Sequence, residues 1–433
     1  MKTPLTHLLW ACLLLALHAT IAAAARPNVV LIMADDFGYE CLGSSGSLDY
    51  NTPALDQLAA TGVRFAQFHA QPLCTPTRVK LMTGQSNRRN YQRFGLLPRG
   101  QTTFAHLFQQ AGYRTCIAGK WQLGKEPDAA QHFGFDEALL WQHTRPATID
   151  GHDSRYANPR LERNGVPVDY DGGQYSADLF VDFFENFIDQ DRDTPFLIYY
   201  PMVLSHCPFS PPPDSAAWDP ASRGSTSYKG NPASFAEMVQ YVDTTVGRID
   251  AALRARGLRE NTLLVFLGDN GTDKPIVSQT TFGKVVGGKG SLTDAGTRVP
   301  CVASWPGALA AGHVVHHTAD LSDLLPTLCE AADIRPPAEL PLDGTSFLAN
   351  LRGDPTPHRD AIFIWYSRDG SKAKAFARTA SYKLYAGGRF YHMATDPLEQ
   401  QNLAGTQLPP EAAQAHACLT RTLAHYAAIP RPQ

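Results

Sequence analysis

Four apolar runs, each followed by a polar group, organise this chain. Asn28 to Ala34 (NVVLIMA) leads into Asp35-Asp36, and Tyr113 to Ala118 leads into Gly119-Lys120. Pro195 to Tyr200 (PFLIYY) comes shortly before His206, and Thr262 to Leu267 (TLLVFL) leads into Asp269-Asn270-Gly271. A strand covered on both faces has no need of polar alternation. Continuous apolar runs of this length, alternating with helical segments, therefore predict the interior strands of a mostly parallel sheet sandwiched by helices. In such open α/β sheets, ligands bind at the carboxyl ends of the strands, so the polar groups are expected to converge.

Helical periodicity is clearest after Ser234. Phe235, Met238, Val239, Val242, Val246, Ile249 and Leu253 form an apolar stripe ending before Gly257, and Ser234 with Glu237 reads as a capping box. A second helix is expected from Thr75, as its cap, through Pro76 in the first turn to Gly84. The polar stretch from His132 to Gly173 has little periodicity and is expected to form loops over the site. It contributes His143, Arg145, His152 and Tyr156 as candidates for substrate contact. Pro, Gly and Asp are frequent from Pro336-Pro337 to Asp360, which places the division between a large domain (26–350) and a smaller one (351–433).

Composition narrows the function. Charged residues make up 18% of the 433 and the formal net charge is -3, so no basic surface points to nucleic acid. Lys2, the apolar segment Leu8 to Leu17 and the alanines ending at Ala25 read as a secretory signal peptide over residues 1–25. That segment is too short to span a bilayer comfortably, and export to the periplasm or medium without stable membrane insertion is expected. Apart from Cys12 and Cys74, six cysteines remain in an oxidising compartment, as disulfides of undetermined pairing or as buried thiols.

Asp35, Asp36, Asp269 and Asn270 offer oxygen ligands from two strand ends. That donor set suits a hard divalent cation, calcium before magnesium, and argues against zinc. One Asp-Asp pair after a strand is ordinarily a turn or a cap; two polar pairs in equivalent positions make a metal site the better reading. The sequon Asn270-Gly271-Thr272 falls inside this group and is not expected to carry glycan.

The longer motifs are specific. Arg26 to Gly84 contains RPNVVLIMADDFGY, NTPALDQLAATGVRF and PLCTPTRVKLMTG; Gly119-Lys120-Trp121-Gln122-Leu123-Gly124 follows. Ser205-His206-Cys207-Pro208, Gly268 to Gly271, and Gly287-Gly288-Lys289-Gly290 with Asp294 to Pro300 complete the set. Together they resemble the formylglycine-dependent (type I) sulfatases of the alkaline phosphatase superfamily. The tail, with Arg378-Thr379, Tyr382-Lys383-Leu384, Asp396-Pro397, Glu399 and Asn402-Leu403, resembles that family's small C-terminal sheet. The resemblance implies an alkaline phosphatase-like α/β fold with a smaller C-terminal α+β subdomain built on an antiparallel sheet.

It also implies the chemistry. Cys74, in Cys74-Thr75-Pro76-Thr77-Arg78, would be oxidised to formylglycine by a transient partner, the formylglycine-generating enzyme, and would join the ligands of one Ca2+. Arg78, Lys120, His206 and Lys289 would act as cations around the sulfate, with Lys120, His206 and Lys289, and more loosely His143 and Arg145, touching a sulfated carbohydrate. Two positions depart from the pattern. Thr77 stands where serine or alanine is usual, a conservative change. Gln122 stands where most relatives carry the histidine that serves as base, and glutamine orients but accepts no proton. The expected activity is calcium-dependent hydrolysis of carbohydrate sulfate esters. The alternatives are a phosphonate or phosphate ester hydrolase on the same scaffold and a non-catalytic sulfated-glycan binder.

Overall fold

The computed structural model describes residues 26–368 and 372–432; the expected signal peptide lies outside the described residues. The four apolar runs are strands: β1 (Asn28–Ala34), β2 (Arg114–Lys120), β3 (Phe196–Pro201) and β4 (Thr262–Gly268). They form the parallel centre of an eleven-stranded sheet, in the order β4, β1, β3, β2. Glu137–Trp141 continues the parallel arrangement beside β2. Beyond it, and beyond β4 on the other side, most pairings become antiparallel.

Both faces of the centre are apolar, as an interior strand requires. Val29, Leu31 and Met33 of β1 face one core, and Val30, Ile32 and Ala34 face the other. The helix Phe235–Ala255 buries its expected stripe in the second core. Each such aliphatic or aromatic side chain contributes about 1.5–3 kcal/mol by leaving water, which is why one stripe seats a long helix.

Three local expectations are corrected. The capping box at Ser234 does not form: Asn231 caps a short 3-10 turn through Ala233 N, and the helix continues from it. The helix Cys74–Thr83 starts before Thr75, with extended Leu73 in the cap position and no side-chain cap. The Thr75 hydroxyl is used in the site instead. Residues 132–173 are not loops alone, because Glu137–Trp141, Arg160–Arg163 and Val166–Asp169 extend the main sheet. The last two form a hairpin through Asn164-Gly165, whose φ values of 50° and 79° are those of the tight turn that Asn-Gly favours.

The C-terminal region is a four-stranded antiparallel sheet, Ile362–Tyr366, Lys374–Arg378, Tyr382–Tyr385 and Phe390–His392, against the helix Pro410–Ala427. Buried ion pairs tie it to the main body. Arg378 pairs with Asp294, and Lys383 Nζ donates to Leu292 O at 2.5 Å and to Glu399 Oε1 at 2.7 Å. All seven described cysteines are free thiols.

Candidate active site

The carboxyl ends of the central strands meet as the patterning predicts, because backbone bonds stitch one strand end to the next. Asp269 N donates to Ala34 O at 2.9 Å, Asp35 N to Leu204 O at 2.7 Å, and Ser205 N to Asp35 O at 2.8 Å. Asp36 adopts a left-handed φ of 57° and donates its N–H to Asp269 Oδ1 at 3.0 Å. At the end of β2, Gly119 is required: a Cβ there would lie 2.0 Å from Pro201 O. That close approach of β2 to β3 carries Lys120 inward, where Nζ donates to Asp35 Oδ2 at 2.6 Å.

The remaining groups come from the long connections. Lys289 Nζ donates to Asp36 Oδ2 at 2.6 Å; its loop is held by Lys289 N on Thr272 O at 3.0 Å and Gly290 N on Pro72 O at 2.9 Å. Arg78 bridges helix and strand, with Nη1 on Lys120 O at 2.9 Å and Nη2 on Asp269 Oδ2 at 3.4 Å. Thr77, the conservative departure, places its hydroxyl 2.6 Å from Asp269 O. Asn270 Nδ2 donates to Asp36 Oδ1 at 2.8 Å, and Asn270 is wholly buried, which bars glycosylation of the folded chain.

Three carboxylates (Asp35, Asp36, Asp269) thus face three permanent cations (Arg78, Lys120, Lys289). A divalent metal added to that balance would leave the site positive, which suits an anionic substrate. The donor atoms fit such an ion. Asp35 Oδ1 and Asn270 Oδ1 are buried without a hydrogen-bond partner, a costly state that a cation would relieve. The ligand atoms of Asp35, Cys74 and Asp269 lie within 4.8 Å of one another, as do those of Asp35, Asp36 and His206.

Burial and charge split the carboxylates. Burial, reinforced by Asp35, pushes Asp269 well above the usual range; burial also raises Asp36, against the pull of Lys289. For Asp35 burial acts in the same direction, but Lys120, His206, Arg78 and Lys289 outweigh it and hold the group low.

Cys74 is 2% exposed at the start of its helix. Burial raises its thiol, so an unmodified Cys74 is protonated at neutral pH and a poor nucleophile. Its Sγ donates to Gln122 Oε1 at 2.9 Å, and Thr75 Oγ1 approaches the same oxygen at 3.4 Å. The opposite end of the amide, Nε2, faces Gln142 Oε1 at 3.4 Å, and Gln122 N meets Gln142 O at 3.3 Å. Both glutamines sit at left-handed φ, 52° and 55°. The Gln122 amide thus lies between residue 74 and Gln142.

His206 corrects an expectation. Burial, followed by Lys289, drives its pKa well below the usual value, so the ring is neutral and supplies no fixed cation. Arg155 Nη1, which can only donate, lies 2.7 Å from His206 Nδ1. Nδ1 also lies against Cys207 O, which can only accept, so the two neighbours favour opposite tautomers. Nε2 lies 3.8 Å from Asp36 Oδ2. Arg155 is itself buried on Asp153 and stacked on Trp141 at 4.3 Å.

The candidates from the polar stretch do not join this cluster. His143 is buried with Nε2 on Glu126 O at 2.7 Å and Nδ1 by Glu162 at 3.2 Å; Arg145 pairs with Asp169. His152 bonds Gly224 O at 3.0 Å, and the Tyr156 hydroxyl holds Val203 O at 2.9 Å and also meets His206 O. Each side chain is engaged by scaffold atoms. Gln142 and Arg155 were not identified from sequence: Gln142 lacked any signal, whereas Arg155 is one residue before a candidate that was named.

Comparison with known proteins follows the same lines. The family model described as Sulfatase matches residues 27–334. Human arylsulfatase A is 34% identical over 412 residues, covering 86% of this chain and 77% of that protein. N-acetylgalactosamine-6-sulfatase of Mus musculus is 31% identical over 381 residues, covering 78% of this chain and 69% of its own. Among solved structures, that of Ps i-CgsB superposes with a TM-score of 0.77 at 26% identity, covering 94% of each chain.

Proposed function

This chain belongs to the sulfatase family and is a sulfuric ester hydrolase, and from that premise we propose an exported, calcium-dependent enzyme that acts on carbohydrate sulfate esters through a formylglycine made from Cys74. The observation that carries the reading is the pair of unpartnered buried oxygens, Asp35 Oδ1 and Asn270 Oδ1, beside a residue 74 whose thiol is neutral. A site so built suits a cation, and a nucleophile other than a thiol. Asp35, Asp36, Asp269 and Asn270 are the residues that would hold calcium, with residue 74 beside them, and the ion would supply fixed positive charge toward the sulfate oxygens. Formylglycine, as its hydrate, would supply a hydroxyl nucleophile where the thiol is inert.

The residues around that position have definite tasks. Gln122, packed against Gln142, accepts a hydrogen bond from residue 74 and orients it. Lys120 and Lys289 offset carboxylate charge and remain close enough to meet the substrate's sulfate oxygens. His206 places Nε2 3.8 Å from Asp36 Oδ2, beside the proposed metal ligands. Gln122 accepts no proton, so the release step has no base in the position the family commonly fills, and Gln122→His is expected to accelerate it.

The similarity to N-acetylgalactosamine-6-sulfatase supports a carbohydrate substrate, and the leader supports export. No helix of the described residues is long and apolar enough to cross a membrane. The test is mass spectrometry of the peptide spanning residue 74 after co-expression with the modifying enzyme, together with hydrolysis of matched aryl sulfate and aryl phosphate. Formylglycine with preference for sulfate is expected. Preference for phosphate supports the phosphoester alternative, and binding without turnover supports the non-catalytic one.

A further inference from the structure

A cleft of about 590 Å³ opens beside the Lys289 loop. One wall is Gly290 to Thr293; the other includes Lys374, Tyr385, Arg389 and Glu399 of the C-terminal region. Its first wall adjoins the active site along the chain. Gly290 follows Lys289, which reaches Asp36, and Gly290 N bonds Pro72 O, two residues before Cys74.

The charges of this cleft are unevenly satisfied. Glu399 is engaged, its oxygens accepting from Lys383 Nζ at 2.7 Å and from the Tyr385 hydroxyl at 2.5 Å. Arg389 and Lys374, by contrast, make no ion pair with any described residue. The Arg389 guanidinium stacks on the Tyr385 ring at 4.3 Å and lies 6.0 Å from the Tyr391 ring, so its plane is oriented before any ligand arrives. Tyr385 is in turn fixed by Glu399 and by Leu292 O. Elsewhere between the two sheets, Arg378, Lys383, Lys80 and Arg359 each have a carboxylate. Two cations with no ion pair among the described residues, in a concave site within a chain of net charge -3, form a local positive focus.

We propose that this cleft is an anion subsite, which holds a second negatively charged group, sulfate or carboxylate, of the same glycan whose scissile sulfate lies at residue 74. The inference rests on the reading of the enzyme as a carbohydrate sulfatase and narrows its substrate to a polyanionic chain. The planar fork of Arg389 suits either anion bidentately, and Lys374 adds a point charge.

The test compares three disaccharides: one disulfated, one monosulfated with a uronate carboxylate, and one monosulfated and otherwise neutral. The reading is the ratio of kcat/KM between the charged and neutral compounds for the mature wild-type enzyme and for Arg389→Ala, Arg389→Lys and Lys374→Ala. Arg389→Ala is expected to lower the ratio about tenfold, through KM, with partial recovery in Arg389→Lys and a smaller loss in Lys374→Ala. A loss for the disulfated compound alone assigns the subsite to sulfate; a loss for both assigns it to either anion. An unchanged ratio, or an equal fall on all three compounds, overturns the subsite while leaving the sulfatase reading in place. Should the wild type turn over none of them, the same ratio taken from calorimetric Kd values tests the subsite independently of catalysis.

Discussion

Among the clusters of buried charge in the described residues, two are built to opposite rules. Where the main body meets the C-terminal sheet, every oxygen of Asp320 and Asp323 is engaged. Asp320 accepts from Lys80 Nζ at 2.8 Å and from Ser322 N and Oγ, and Asp323 accepts from Arg359, His358, Asp320 N and Thr345 N. Burial would raise Asp323, but Arg359 and His358 more than offset it and hold the group below its usual range. At the strand ends the pattern reverses: Asp35 Oδ1 and Asn270 Oδ1 have no partner, and Asp269 and Asp36 are raised. A buried network whose acceptors are all satisfied is scaffold. Unpartnered buried oxygens also occur at Asn87, Asn90 and Asn350, but at the strand ends they stand among carboxylates whose ligand atoms lie within 4.8 Å of one another, and that convergence makes the cluster a place for a ligand.

That contrast breaks first at residue 74. Cys74→Ala is expected to reduce sulfate ester hydrolysis to background with little change in melting temperature; retained turnover would remove residue 74 from the chemistry. Asp36→Ala should then lose both bound metal and activity, read by elemental analysis alongside rates, because it removes an anionic ligand and leaves Lys289 unpaired. Stoichiometric zinc, or full activity after thorough chelation, would contradict the oxygen-ligand assignment.

The scaffold cluster should respond in stability. Asp323→Ala leaves Arg359 buried without its closest carboxylate and is expected to cost about 3–5 kcal/mol in denaturant unfolding, while kcat of the folded fraction is retained. A loss of kcat comparable to that at residue 74 would erase the distinction between the clusters. A smaller effect is expected at Gln122: Gln122→Ala should slow turnover on the order of ten- to a hundredfold by loss of orientation. Gln142→Ala should produce a lesser slowing in the same step, because it frees the amide to turn.

The smallest difference concerns acid. Asp323 has a lower pKa folded than unfolded, so its contribution to stability is complete above the unfolded value of about 3.9 and is lost as pH falls below that toward the folded value. Wild type should therefore lose stability more steeply below about pH 4 than Asp323→Ala. Parallel unfolding profiles of the two proteins in that range would contradict the assignment.

Much of the site was legible because its residues sit at the ends of runs that have one sensible structure. NVVLIMA followed by Asp35-Asp36, and TLLVFL followed by Gly268 to Asn270, are buried strands with polar groups at one edge, and parallel neighbours bring those edges together. Local signals were weaker guides. Ser234 and Glu237 carry the pattern of a capping box, yet Asn231 starts the turn, because a cap is chosen by competition among nearby side chains. The hairpin at Asn164-Gly165 lay in a segment read as loops, its strands being four residues each, with Val166 exposed and Glu162 buried against the usual alternation. His143 was chosen for its chemistry, but Glu126 and Glu162 claim it, and such claims depend on neighbours distant in sequence.

By itself, then, the sequence determined the sheet's centre, the oxygen-bearing side chains at its strand ends and the position of Cys74 at a helix start, since each follows from periodicity or residue type within a short window. Tertiary structure alone decided that burial lowers the pKa of His206, that Arg155 meets its ring, that Gln142 lies against Gln122, and that Arg389 and Lys374 stand beside the Lys289 loop without an ion pair to any described residue. These are matters of desolvation and of contacts between distant segments, and both exist only once the chain has closed around the site.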